Sequence, residues 1–257
     1  MPKLMFVNPH NDDAVIGAGG LLMQLISAGW DIMYFQVSNG GRGSKKIPYK
    51  ELVEIRAEEG RKERDALGVK YFHDFGLSGA DLDRNYLGMK PDLVDRMATQ
   101  IDKFDPDAIF IPAEFEDHNT HKITYDLSIS ALEEATVKPA QLRYSVWFMP
   151  FRNVTVNHFD EIIAVDISNQ VERKHDIIKN IHISQEEKNY SYFIEGFNRF
   201  LAIHSRYEEP IWNAAEVFAV TNTHGIRGEK YKLLTDSLQR YKVVTRTEHG
   251  SKFQPPK

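Results

Sequence analysis

Short apolar runs alternate with longer amphipathic stretches through the first half of the chain. Residues 3–8 form the first run and predict a buried strand. Residues 15–28 carry a helical pattern closed by Gly29. Residues 31–37 predict a second strand, which leads into the glycine-rich loop at 38–44. A strong helical pattern over 50–67 stops at Gly68. A third strand is expected at 69–72, a helix at 90–104, a strand at 108–111 and a helix at 121–135. Strands and helices in turn predict a parallel sheet covered on both faces, wound by right-handed crossovers. The expected fold is α/β: a Rossmann-like three-layer α/β/α arrangement with a mostly parallel sheet, order 3-2-1-4-5 plus extra C-terminal strands. In that order the first and fourth strands are neighbours. The crevice between their C-terminal ends is where such sheets bind ligands.

The second half is less regular. Strands are expected at 144–149 and 161–165, helices at 169–182 and 187–204. Tyr190, Tyr192, Phe193, Phe197 and Phe200 recur at helical spacing, which suits core or subunit packing. With no linker, repeat or low-complexity tract, the expectation is one domain over 1–257. Its core spans about 3–220, with a C-terminal elaboration and tail at 221–257 that frays over the last residues.

Two polar clusters lie at the ends of the neighbouring strands. Pro9-His10-Asn11-Asp12-Asp13 follows the first strand, and Glu116-Asp117-His118-Asn119-Thr120-His121 follows the fourth. Adjacent carboxylates repel unless a cation or proton sits nearby. Helix capping is the plain alternative for Asp12 and Asp13. Catalytic zinc takes three protein ligands and leaves one position for water. His10, one Asp of the pair and one downstream His supply such a set, and the spare carboxylate can serve as general base. His118 and His121, three apart, share a face at a helix start, so one can bind metal while the other faces substrate. These residues by themselves imply metal-assisted hydrolysis of a carbonyl compound.

Composition narrows the picture. There is no cysteine, so any metal is held by nitrogen and oxygen. Zn²⁺ is expected, with Fe²⁺, Mn²⁺ or Co²⁺ compatible with two imidazoles and a carboxylate. A net charge of −5, with both signs mixed along the chain, argues against a nucleic-acid partner. No stretch approaches the ~20 apolar residues of a membrane span. The first apolar run is too short for a signal peptide, and a cytoplasmic location is expected. Gly17-Ala18-Gly19-Gly20 lacks the dinucleotide-binding spacing and reads as close helix–strand packing. Gly40, Gly41, Arg42 and Arg56 are candidate substrate contacts. The bland reading of Arg56 is an ion pair with Glu59.

The two clusters resemble the motifs of the LmbE-like, or PIG-L-type, zinc-dependent N-deacetylases, Pro-His-Pro-Asp-Asp-Glu and His-Pro-Asp-His. Ser38-Asn39-Gly40-Gly41, Arg56-Ala57-Glu58-Glu59, Val165-Asp166-Ile167, Lys174, His182-Ile183-Ser184-Gln185 and Ala215-Glu216-Val217-Phe218 resemble further family positions, in order, over residues 3–220. The resemblance implies that His10, Asp13 and His121 bind the metal, that Asp12 is the general base, and that His118 stabilises the oxyanion. It implies removal of the N-acetyl group from an N-acetylated amino sugar, such as an N-acetylglucosamine conjugate, and a homo-oligomer. The chain departs from the motifs at Asn11, Ala14, Asn119 and Thr120. Thr120 stands where the family has an Asp that orients His118, a role for which Glu114, Glu116 and Asp117 are the nearby substitutes; Thr120 itself could cap the next helix. These losses motivate the alternative of a catalytically impaired metal- and carbohydrate-binding member. A nucleotide-sugar transferase is disfavoured by the missing phosphate loop. His73, His158, His175 and His182 read as satisfied or exposed histidines, whereas His204, His224 and His249 could reach a pocket.

Overall fold

The computed structural model describes residues 1–146, 161–204, 212–221, 226–238 and 240–244. Its first strand, β1 (Lys3–Asn8), shows why the sheet lies at the centre. Leu4 and Phe6 pack into the core on one face, Met5 and Val7 into the core on the other, and all four are fully buried. A strand buried on both faces needs an unbroken apolar run.

The chain continues as α1 (Asp13–Ser27), β2 (Asp31–Ser38), α2 (Tyr49–Leu67), β3 (Tyr71–Leu77), α3 (Gly79–Phe104), β4 (Ala108–Pro112), α4 (Asn119–Glu134) and β5 (Ala140–Tyr144). Then come β6 (Glu161–Asp166), α5 (Val171–Ile181), a 3₁₀ turn (Ile183–Lys188), α6 (Tyr190–His204), β7 (Ala215–Thr221), α7 (Ile226–Asp236) and β8 (Tyr241–Val244). Eight strands form one sheet of order β3-β2-β1-β4-β5-β7-β6-β8. The first five run parallel, in the expected order 3-2-1-4-5. β7, β6 and β8 add in antiparallel fashion at the far edge. β1 pairs with β2 on one side and with β4 on the other, Phe6 lying opposite Phe110. The crevice between the ends of β1 and β4 is therefore the switch point of the sheet.

Several boundaries differ from the sequence expectation. β3 begins and ends later than residues 69–72, because this edge strand exposes most of its side chains and carries His73 and Asp74. α3 starts eleven residues before position 90: Ser78 caps it by accepting from the Asp81 N–H, and the helix runs through Pro91. The strand expected at 144–149 lies at Ala140–Tyr144, and residues 147–149 fall outside the described residues. The helix expected over 187–204 is a 3₁₀ turn followed by α6. His158, His224, His249 and the tail at 251–257 lie outside the described residues, as does the side chain of His204.

α1 is not one regular helix. Ala18 leaves helical geometry (φ −147°, ψ 18°). Beyond this break, the N–H groups of Gly20 and Leu21 donate to the Glu216 carboxylate at 2.9 and 2.8 Å. Lys174 Nζ donates to the same carboxylate at 2.8 Å, and both side chains are buried. The glycine run is close packing: a Cβ at Gly20 would lie 2.4 Å from Ile167, and one at Gly17 would lie 2.7 Å from the Tyr144 ring.

Candidate metal centre and active-site cavity

Both polar clusters open into one cavity of about 310 Å³ at the switch point, lined by His10, Asp12, Asp13, His118 and His121 among others. The segment leaving β1 turns sharply, and Asp13 Oδ2 accepts the backbone N–H of His10 at 2.7 Å. Asp12 occupies the N-cap position of α1 but makes no capping hydrogen bond. The capping alternative therefore does not account for the carboxylate pair. On the other side His118 occupies the N-cap position of α4, and its carbonyl accepts the N–H of His121 at 2.9 Å. Thr120 is buried on the cavity wall and does not cap the helix, contrary to the sequence reading.

Three donor atoms meet at the centre. Asp13 Oδ2 lies 3.2 Å from His10 Nδ1 and 3.3 Å from His121 Nε2, and the two imidazole nitrogens are 3.3 Å apart. Ligands about 2.0–2.1 Å from a tetrahedral zinc stand about 3.4 Å from one another. The triangle therefore fits a divalent ion with nitrogen and oxygen ligands. His118 and Asp12 flank it, each within a wider donor group that includes His10. The His118 ring stands edge-on to His10, with centroids 4.9 Å apart.

The electrostatics favour positive charge at this point. Burial works to lower the His121 pKa, yet Asp13 and Glu116 raise it to about 10. Burial would raise Asp13, but His121 and His10 hold it well below the ordinary carboxylate value. Asp12 is also lowered: burial pushes it up, and Arg56 with His182 and His10 outweighs that push. His118 is pushed down to about 4 by burial and by the adjacent His10 and His121.

Arg56 does not pair with Glu59. It is buried against the first motif, with Nη2 donating to Asp12 Oδ1 and Nε to Asn11 Oδ1, both at 2.6 Å. Asn11 Nδ2 in turn donates to the Arg56 carbonyl. Glu59 instead accepts from the N–H and hydroxyl of Ser184, both at 2.7 Å. That bond ties the 3₁₀ turn to α2 and brings Gln185 and Lys188 to the cavity wall. His182 is buried and only half satisfied: Nε2 lies 2.7 Å from Glu63 Oε2, whereas Nδ1 has no hydrogen-bond partner and stands 4.0 Å from Glu59 Oε2. Glu63 also accepts the Tyr34 hydroxyl at 3.0 Å.

Gly40, Gly41, Arg42 and Arg56 all line the cavity. The glycines have a second reason to be there. Gly40 has φ +67°, and a Cβ on it would lie 2.5 Å from Arg56 Nε, while one on Gly43 would lie 2.8 Å from Arg56 Nη1. The loop thus wraps the arginine. Arg42 sits at the rim, donating to Asp83 Oδ2 at 2.6 Å, and Asn119 Nδ2 donates to Asp83 Oδ1 at 2.6 Å.

Glu116, one of three residues considered as a replacement partner for His118, faces His121 instead, and Oε2 is 3.5 Å from Nδ1. Asp83, Gln185, Lys188 and Tyr190 were not singled out as cavity residues by sequence reasoning. Tyr190 belonged to an aromatic stretch read as packing. Only Gln185 carried a signal, its place in His182-Ile183-Ser184-Gln185.

Fold and donor cluster together define an α/β protein with a candidate metal centre at the switch point of its sheet. The family model described as "PIG-L: GlcNAc-PI de-N-acetylase" matches residues 5–132, and this part of the chain belongs to the PIG-L family. The chain is 30% identical over 140 residues to the diacetylchitobiose deacetylase of Thermococcus kodakarensis, which covers 52% of this chain and 50% of that protein. The chain thus spans about half the length of the curated relative it matches. Among solved structures it is similar to the N,N'-diacetylchitobiose deacetylase of Pyrococcus horikoshii (TM-score 0.65, 22% identity, 85% of this chain and 83% of that one). It is also similar to the 4-carboxy-2-hydroxymuconate hydratase of Pseudomonas putida (TM-score 0.69, 16% identity, 88% and 98%). These structural likenesses establish the fold. A hydratase on the same fold means that the reaction must be argued from the site. Among the described residues, no helix is long and apolar enough to cross a membrane.

Proposed function

We propose that this chain is a metal-dependent hydrolase that removes the N-acetyl group from an N-acetylated amino sugar or its conjugate. The observation that carries the reading is the triangle of His10 Nδ1, Asp13 Oδ2 and His121 Nε2, with sides of 3.2–3.3 Å, beside a second ionised carboxylate. Membership of the PIG-L family and the likeness to a diacetylchitobiose deacetylase support the substrate class.

His10, Asp13 and His121 would hold the ion. A divalent ion such as Zn²⁺ supplies a Lewis acid for the amide carbonyl and lowers the pKa of water. Asp12 is the general base and takes the proton of the attacking water. Arg56 engages only its Oδ1 and keeps it ionised at neutral pH. His118 lines the cavity beside the donor triangle, where it can donate a hydrogen bond to the developing oxyanion. Asp12, now protonated, can return its proton to the leaving amine. Arg42, Gly40, Gly41 and Arg56 line the space left for the sugar.

The test is acetate release from N-acetylglucosamine and its β-linked dimer, by wild type and by Asp12→Ala, with metal content measured on each sample. Release by wild type that is lost in the variant, with metal retained, supports the reaction and the base together. A fully metallated wild type that releases no acid from any acetylated amino sugar would sink the reading.

A second reading has one observation in its favour. Among the described residues no carboxylate pairs with His118, and Glu116 is turned to His121. A carbohydrate-binding protein with a metal centre and impaired chemistry would show sugar affinity unchanged by Asp12→Asn and no turnover.

A further inference from the structure

We propose that Glu116 is a positioning residue for His121: its buried carboxylate accepts a hydrogen bond from Nδ1 and thereby turns Nε2 towards His10 and Asp13. This rests on the reading of His10, Asp13 and His121 as metal ligands.

Glu116 and His121 are both fully or almost fully buried. Glu116 Oε1 is anchored by the N–H of Val146 at 2.7 Å. Its other oxygen, Oε2, has no hydrogen-bond partner that meets strict geometry, and neither has His121 Nδ1. These two unsatisfied atoms face each other at 3.5 Å. That separation is at the outer limit for a hydrogen bond, but among the described residues no other group competes for either atom. A buried carboxylate oxygen left unpaired is costly, and so is a buried ring nitrogen. Each is the remedy for the other.

The chemistry of the two groups sets a direction. A carboxylate can only accept, and a neutral imidazole has one N–H and one lone pair. Glu116 therefore selects the tautomer with the proton on Nδ1. The lone pair is left on Nε2, the atom 3.3 Å from both Asp13 Oδ2 and His10 Nδ1. Metal-binding histidines in general depend on such a partner at the other nitrogen.

The carboxylate itself is held by rigid structure. Pro112 and Tyr144 are paired at the ends of β4 and β5, and Val146 lies two residues beyond that pair. The Ala113 carbonyl accepts the Glu116 N–H at 3.3 Å. Sheet register thus reaches the imidazole through one side chain. The carboxylate that this chain lacks at position 120 is not restored to His118 by Glu116; it serves the other histidine.

The test compares wild type, Glu116→Gln and His121→Ala. Glutamine keeps the shape but offers one acceptor and one NH₂, so one of the Val146 N–H and the His121 Nδ1–H must meet another donor. The affinity for Zn²⁺, by competition with a chromophoric chelator, is expected to fall roughly 10- to 100-fold in Glu116→Gln. The imidazole ¹H–¹⁵N spectrum of the zinc-loaded wild type is expected to show the His121 proton on Nδ1. Zinc affinity in Glu116→Gln equal to wild type, with His121→Ala weakened, overturns the proposal and leaves the metal centre standing. Equal affinity of wild type and His121→Ala removes the metal reading and the proposal with it. If Glu116→Gln does not fold, the wild-type spectrum decides alone: a proton on Nε2 overturns the proposal.

Discussion

Arg56 Nη2 donates to Asp12 Oδ1 over 2.6 Å, and neither side chain is more than 7% exposed. This buried pair keeps a carboxylate ionised in a place where burial and the neighbouring Asp13 both oppose ionisation. A carboxylate with a lowered folded-state pKa contributes stability above its unfolded value, near 3.9, and loses it as pH falls through the lowered value. Arg56→Met removes the strongest lowering influence, so the Asp12 pKa rises. The acid limb of the pH–activity profile should move to higher pH, and urea unfolding at neutral pH should show a loss of about 3–5 kcal/mol. An acid limb that stays in place would mean that another group is the base.

Gly40→Ala should be harmful and Gly43→Ala mild, although both face the same guanidinium. Gly40 combines φ +67° with an approach of 2.5 Å to Arg56 Nε, whereas Gly43 has no positive φ, and its Cβ would meet the ends of two side chains, Arg56 Nη1 at 2.8 Å and Gln185 Nε2 at 3.1 Å, with the Gly40 carbonyl at 3.3 Å. A cost of about 1–3 kcal/mol is expected at Gly40 from backbone strain and displacement of Arg56, with lowered kcat and retained metal. Equal melting temperatures for the two variants would contradict this.

Glu216 and Lys174 are fully buried partners with unequal alternatives. Glu216→Ala leaves the Lys174 ammonium without its carboxylate and the N–H groups of Gly20 and Leu21 without an acceptor. About 3–5 kcal/mol should be lost. Lys174→Met should cost less, since Glu216 keeps both amide donors. Denaturant titration of the two variants gives the order directly.

At the rim, Asp83 accepts from Arg42, on the loop after β2, and from Asn119, the first residue of α4. Asp83→Ala frees both donors without touching the donor triangle. KM for an active substrate should rise roughly three- to tenfold with kcat near wild type, the mark of lost ground-state positioning. A fall in kcat alone would place Asp83 in the chemical step instead.

The parallel half of the sheet was legible because β1, β2 and β4 are buried on both faces and show it as apolar runs. β5 was displaced in the reading because Gln141 and Arg143 are polar residues buried within it, which masks the strand. The start of α3 was hidden by Gly88 and Pro91, which punctuate a helix that tertiary packing of Leu82 and Tyr86 sustains. At the site, the residues were legible but their partners were not. Arg56 and Glu59 stand one helical turn apart, and that spacing suggests a local ion pair. The structure sends one to Asp12 and the other to Ser184. Sequence spacing reports neighbours along a helix, whereas a buried charge goes to whichever partner satisfies it most fully.

The hydrogen bonds from Ser184 to Glu59 have a consequence for how this fold can diversify. His10, Asp12, Asp13, His118 and His121 all come from the first 121 residues, whereas Gln185, Lys188 and Tyr190 arrive on a separate stretch, fastened to α2 through Ser184 on Glu59 and His182 on Glu63. Reactive groups and part of the enclosing wall are thus encoded in different portions of the gene. Substitutions around the 3₁₀ turn can reshape what the cavity admits while leaving the bond-breaking apparatus as it was.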